Sequence, residues 1–256
     1  MRAGALGLGL AVLLAAGLAL AQAAPEPRRS GYQDMGEALR RMQDDPAANP
    51  GMLFVQLGRS LWDKPAGRAD KACAGCHSLE QMKGVAARYP AVPAGADQPV
   101  DLEGRINLCR TTQQQAEPLP LESQDLLALA ALVAVQSRDL PIAPPDDPRL
   151  AAARERGAAL WRLRQGQLNL SCANCHDDNA GRRLAAATIP QAHPTGYPIY
   201  RLEWQALGSL QRRLRNCLTG MRAEAPPYGT PDYVALEAWL MARAAGMPLE
   251  SPAVRP

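Results

Sequence analysis

Large side chains are scarce in this sequence. Aromatic residues make up 4% of the 256 residues, and Phe54 is the single phenylalanine. Interiors pack to near-crystalline density, so such a chain fills its cores poorly from protein atoms alone. A large apolar cofactor would supply the missing volume. Histidine is also rare, with three in the chain, which leaves few ways to build a zinc site. Excess charge is lacking too: the formal net charge is +3, and nothing marks a nucleic-acid binder. Long apolar runs are missing beyond the first two dozen residues. Proline (23), glycine (21) and cysteine (6) are what the chain has instead.

The one long apolar run explains the compartment. Arg2 precedes Ala3 to Ala21, and the small residues A-Q-A-A-P-E-P follow. This is the pattern of a secretory signal with A-x-A cleavage matches at Ala19–Ala21 and Ala21–Ala23. An uncleaved anchor is the rival, since the run approaches spanning length. The small-residue exit and the Pro25/Pro27 pair favour cleavage. Residues 1–23 are therefore expected to leave an exported, periplasmic chain with no membrane span.

Six cysteines in an exported chain would ordinarily suggest three disulfides. The spacing argues otherwise. Cys73–His77 reads CAGCH and Cys172–His176 reads CANCH. C-x-x-C-H is the attachment motif of c-type haem. Two thiols three positions apart reach the two vinyl groups of one porphyrin, and the adjacent imidazole binds the iron from below. The alternatives are a thioredoxin-like C-x-x-C pair and a zinc site, and zinc would need further Cys/His partners that three histidines hardly supply. The expectation is two covalent haem c groups, on Cys73, Cys76 and His77 and on Cys172, Cys175 and His176.

The motifs belong to an internal repeat. Gly58, Leu61, Trp62, Cys73, Cys76 and His77 recur 99 residues later as Gly157, Leu160, Trp161, Cys172, Cys175 and His176. In each half a G-x-x-L-W helix leads to the motif. Ser123-Gln-Asp125-Leu-Leu-Ala-Leu129 likewise resembles Thr230-Pro-Asp232-Tyr-Val-Ala-Leu236, each opening a helix of about four turns that stops before a proline, Pro141 or Pro248. The Pro141–Pro148 stretch reads as a stiff, polar linker. The expected fold is mainly α: two tandem class I cytochrome c-like domains related by duplication, 24–143 and 144–256.

A second axial ligand is expected in each half. No methionine follows Met82 in the first half, and His193 and Met221 in the second have no first-half counterpart. Cysteine does: Cys109 and Cys217 each follow an arginine, Arg105 or Arg213, by four residues. They sit where a class I cytochrome c presents its distal ligand. A Cys109–Cys217 disulfide remains the alternative. Thiolate ligation would lower the haem potential and close the iron to peroxide. That argues against a general electron carrier and against a dihaem peroxidase. On a helix Arg213 lies beside Cys217, where a cation stabilises thiolate and can hold an oxyanion. Arg212, Arg215 and Arg222 read as propionate partners or surface residues, and His193 as structural. Tyr197–Tyr200 reads as a cover over the second haem edge, with Arg88-Tyr89-Pro90 as a loose relative.

These motifs, with RRLRNCLTGMRAE and GYPIYRLEW in the second half, resemble the dihaem SoxA subunits of the SoxAX cytochromes. The resemblance spans nearly all of the mature chain. It implies an L-cysteine S-thiosulfotransferase that joins thiosulfate oxidatively to a cysteine of the SoxY carrier in SoxYZ, beside a SoxX-type monohaem subunit, with two electrons leaving through haem. It further implies that Cys109 and Cys217 are axial ligands, that Cys217 is the catalytic residue and carries a persulfide, and that Arg213 binds substrate. Some members lack the first haem; this sequence keeps every ligand for it.

Overall fold

The computed structural model describes residues 27–256, so residues 1–23, expected to be a secretory signal, lie outside the described residues. The chain runs α1 (Glu37–Asp44), α2 (Gly51–Asp63), α3 (Leu102–Cys109), α4 (Gln124–Val135), α5 (Ala151–Arg162) and α6 (Cys172–His176). A hairpin of β1 (Arg183–Leu184) and β2 (Ala187–Thr188) follows, then β3 (Ile199–Arg201), β4 (Ala206–Gly208), α7 (Leu210–Gly220), α8 (Pro231–Arg243) and β5 (Ala253–Arg255). None of the described helices is long and apolar enough to cross a membrane.

Each half is organised by one helix crossing, α2 on α4 and α5 on α8. In α2 the buried positions are Gly51, Val55, Gly58 and Trp62, one stripe at helical spacing. In α5 they are Gly157 and Trp161. The repeated glycines sit where the partner's backbone comes closest. A Cβ on Gly58 would stand 2.2 Å from the Ala128 carbonyl oxygen, and one on Gly157 would stand 2.1 Å from that of Ala235. Ser123 caps α4 by accepting from the Leu126 N–H. α4 and α8 hold 12 and 13 residues, somewhat less than the four turns the sequence suggests.

The halves interlock. Every residue from Leu126 to Ala134 is buried, because α2 covers one side of α4 while Leu207 of β4 and Met241 and Met247 from the second half cover others. β3 lies between β4, antiparallel, and β5, parallel, with Tyr200 opposite Leu207 and Val254. The N-terminal segment reaches across in return: Asn49 Nδ2 donates to the Pro252 carbonyl at 3.0 Å, and the Val254 N–H donates to Gln43 Oε1 at 3.1 Å. The start of the expected linker is not a free spacer. Ile142 is 1% exposed, and its N–H donates to the Met247 carbonyl at 2.8 Å, with Pro141 bridged to Pro248.

Carboxylates gather where the halves meet. Glu103 and Glu237 line a cavity of about 60 Å³ with Tyr89, Tyr197, Pro198 and Met241. Asp101 accepts from Gln211 Nε2 at 2.6 Å. Burial, with the charge of Asp101 second, pushes Glu103 up to about 8. Burial also holds Glu237 well above the carboxylate range. An acid with a raised folded pKa makes the folded state bind more protons than the unfolded one, so stability falls as pH rises from about 4.5 to about 8.

Two predictions follow from the packing and this charge cluster. Gly157→Ala should destabilise the protein by about 1–3 kcal/mol, the usual cost of overpacking, seen as a lower Tm in thermal unfolding; an unchanged Tm would mean the helices can part freely. Glu103→Gln should lose less Tm than the parent between pH 5 and pH 8. Parallel pH profiles would show that Glu103 is already ionised across that range.

Candidate functional site

The second C-x-x-C-H motif is set at the start of a short helix by its own neighbours. The Ser171 hydroxyl accepts from the Asn174 N–H while Asn174 Oδ1 accepts from the Ser171 N–H, a reciprocal capping box. His176 Nδ1 lies 2.7 Å from the Pro190 carbonyl oxygen. A carbonyl can only accept, so the proton is on Nδ1 and the Nε2 lone pair is free to bind a metal. Trp161 backs the imidazole at 5.6 Å between ring centroids. Its indole N–H donates to Asp177 Oδ2 at 2.7 Å, and Asp177 pairs with Arg243 at 2.6 Å. Burial lowers the His176 pKa, and the charges of Arg213 and Arg243 lower it further. The ring is thus kept neutral, as ligation requires.

The first half builds a similar site from a 3₁₀ turn, Cys73–Gly75. Trp62 faces His77 at 6.3 Å between centroids. The Tyr89 phenol is raised by burial and lies within hydrogen-bonding reach of Arg105.

No two of the six cysteines are joined to each other, so Cys109 and Cys217 form no disulfide. Each faces its own motif. α3 ends at Cys109, whose charge adds to burial in raising the Cys73 pKa. Cys217 stands near the end of α7, and burial together with its charge pushes Cys172 up to about 11 and raises Cys175. In each half, then, the distal thiol is near enough to the motif to act on its thiols, beside an imidazole in the same motif. That donor set suits a porphyrin held by two thioethers and two axial bonds.

The other second-half candidates separate. Met221 is 7% exposed and packs with Leu218, Tyr233 and Leu236 in the core. His193 Nδ1 lies 2.7 Å from the Arg29 carbonyl oxygen. With Arg28, His176, Asp177, Gln191 and Arg243 it lines a cleft of about 400 Å³. Arg212 stacks over Trp204 at 4.2 Å. Arg215 covers the Tyr228 ring at 4.6 Å and donates to the Ala225 and Pro226 carbonyls. Arg213 differs from both. Burial opposes its charge, but the facing charges of Cys217, Tyr197 and Glu203 prevail and raise its pKa.

The sequence reading gave Tyr197 only as part of a cover over the second haem edge, and Arg201 escaped it. Tyr197 is raised by burial and responds to Arg213 and Cys217. Arg201 responds to Arg213, Tyr197 and Cys217 as well. A signal for them existed. Tyr89 and Tyr197 both precede a cis proline. Each lies 16 residues before its arginine, Arg105 or Arg213, and 20 before its cysteine. The repeat offset is 99 at the haem motifs and 108 here, because the second half carries nine more residues around β1 and β2.

Comparison with known proteins agrees with this arrangement. Residues 57–142 and 156–249 match the SoxA/TsdA cytochrome c domain. The SoxA subunit of the L-cysteine S-thiosulfotransferase from Pseudaminobacter salicylatoxidans is 36% identical over 229 residues, 88% of this chain and 80% of that protein. The Rhodovulum sulfidophilum SoxA subunit is 34% identical, covering 89% of this chain and 80% of that protein. The crystal structure of SoxXA from P. pantotrophus superimposes with a TM-score of 0.86 at 32% identity, covering 90% of this chain and 87% of that one. With its two matched cytochrome c segments and such relatives along most of its length, the chain belongs to the SoxA family, whose haem c is bound covalently.

Proposed function

We propose that this chain is the SoxA-type subunit of an L-cysteine S-thiosulfotransferase, acting in the periplasm beside a SoxX-type monohaem subunit. It joins thiosulfate to a cysteine of a SoxY-type carrier within a SoxYZ complex. The observation that carries the reading is the free Cys217 thiol facing the Cys172–His176 motif with the Arg213 guanidinium at its side. Thiosulfate is a small dianion, and a part-buried guanidinium is the group that draws and holds one.

Two haem c groups divide between domains 24–143 and 144–256. Cys73 and Cys76 would carry the first, with His77 and Cys109 axial. Cys172 and Cys175 would carry the second, with His176 and Cys217 axial. Bound haem supplies the acceptor for two electrons. The protein residues do the rest. Arg213 holds the sulfonate end and points the sulfane sulfur at Cys217. A sulfur–sulfur bond forms between that sulfane sulfur and the Cys217 sulfur, which the family resemblance describes as a persulfide, and two electrons depart. The carrier thiol then gives up its proton and takes the thiosulfonate group, and the Cys217 sulfur leaves as it began. In sum, one thiol and one thiosulfate yield one S-thiosulfonate, one proton and two electrons.

The reading is tested by incubating the haem-loaded complex with thiosulfate and carrier and weighing the carrier. The parent should add one thiosulfonate group; Cys217→Ala should lose at least about 100-fold of that rate. Low-temperature EPR of the oxidised protein should show two low-spin His/thiolate signals, one of them absent in the variant. Two signals of His/Met or His/His type, unmoved by the substitution, would make the chain a plain dihaem electron carrier. Arg213→Ala should raise the KM for thiosulfate by roughly 10- to 100-fold, matching about 1.5–3 kcal/mol for a charged hydrogen bond. An unchanged KM would remove Arg213 from substrate binding.

A further inference from the structure

The two halves share a tyrosine, an arginine and a distal cysteine at matching spacing. Among the places where they differ, one follows the tyrosine and its proline. Counting from the tyrosine and its cis proline, Arg201 of the second half stands where the first half has Pro93.

Arg201 is held in an unusual state for an arginine. Its backbone is fixed in the middle of the three-stranded sheet, opposite Ala206 on one side and Arg255 on the other. Its side chain is 15% exposed and lies 5.1 Å from the centre of the Trp204 ring. Among the described residues its buried Nε has no hydrogen-bond partner. Its ion pair there is with Glu203 at 3.2 Å, and that carboxylate is 52% exposed, so the pair is worth little. Burial, and next the charge of Arg213, lower its pKa. Arg201 and Arg213 both feel the charge of Cys217, and the carboxylate they share, Glu203, is half exposed. Like charges enclosed in this way are costly unless an anion joins them. Paired planar forks match the oxygens of a sulfonate or phosphate.

A propionate of the haem is the competing anion. The first half should hold such a group too, yet it has proline at this position.

We propose that Arg201 is a second substrate-binding residue, closing with Arg213 on the sulfonate oxygens of thiosulfate so that the sulfane sulfur faces Cys217. With Pro93 the first half has no counterpart of Arg201; its second arginine, Arg110, follows Cys109 directly and sits elsewhere in the repeat. The inference rests on the thiosulfate reading of the Arg213–Cys217 site and adds the residue that confines it to the second half.

The test compares Arg201→Gln and Arg201→Lys with the parent and Arg213→Ala, each as the haem-loaded complex. Glutamine keeps the side-chain stem against Trp204, so folding is preserved. Arg201→Gln should raise the KM for thiosulfate about tenfold or more, leaving the KM for the carrier, the haem content and both haem midpoint potentials as in the parent. Arg201→Lys should recover part of the loss. An unchanged KM for thiosulfate in Arg201→Gln, with Arg213→Ala impaired, would overturn the proposal. So would a shifted haem potential or haem loss accompanying the defect, since Arg201 would then be a propionate partner. If Arg213→Ala is also silent, the thiosulfate reading of the site fails as well, and Arg201 falls with it.

Discussion

Two α-helices can approach until their backbones touch only where one of them offers no side chain. Gly157 supplies that place against Ala235, and Gly58 supplies it against Ala128. Much of the second site hangs from the first of these contacts. α5 brings Trp161 to the imidazole of His176, while α8 brings Trp239 to within 4.8 Å of Trp161 and lays Arg243 over both rings. Arg243 then fixes Asp177, which receives the Trp161 N–H. A methyl group between the helices would push this stack apart and loosen the support behind the proximal histidine. The orientation of the His176 ring is thereby set by a steric fact 19 residues away in sequence.

The duplication gives the two halves a common frame without common chemistry. Both have the crossing, the motif, the tyrosine with its cis proline, and the distal cysteine. The second half adds the β1–β2 hairpin and the Arg201 position, and it draws β3 into a sheet with the end of the chain. That sheet gives Arg201 a rigid base. A flexible loop would let two like charges drift apart into solvent; a paired strand keeps them together. Binding energy for an anion is in this sense stored in the fold, as a repulsion the strand does not relieve.

The haem motifs were legible because covalent attachment imposes a fixed spacing on neighbouring residues. The duplicated helices were legible because burial repeats at helical period. The distal cysteines could be found from the repeat, but choosing between separate thiols and one disulfide required the fold, since it depends on which residues face each other. α4 looked like an amphipathic helix of one domain; its all-round burial depends on Leu207, Met241 and Met247 of the other half. The carboxylates Asp101, Glu103, Glu122 and Glu237 come from separate segments, so no local pattern announces their cluster. Arg201 was missed because its first-half counterpart is Pro93, so the repeat does not single it out.

The exchange of segments between the halves has a consequence for how the molecule is made. The core of the first half includes Tyr200 and Leu207, and its N-terminal segment is tied to Pro252 and Val254. A chain delivered N-terminus first presents Cys73 and Cys76 long before those residues arrive. Closure of the first core waits on contacts distant in sequence, which form slowly. The Cys73 and Cys76 thiols are therefore accessible while the surrounding core still lacks a wall, and the last strand to arrive acts as the clasp for both halves at once.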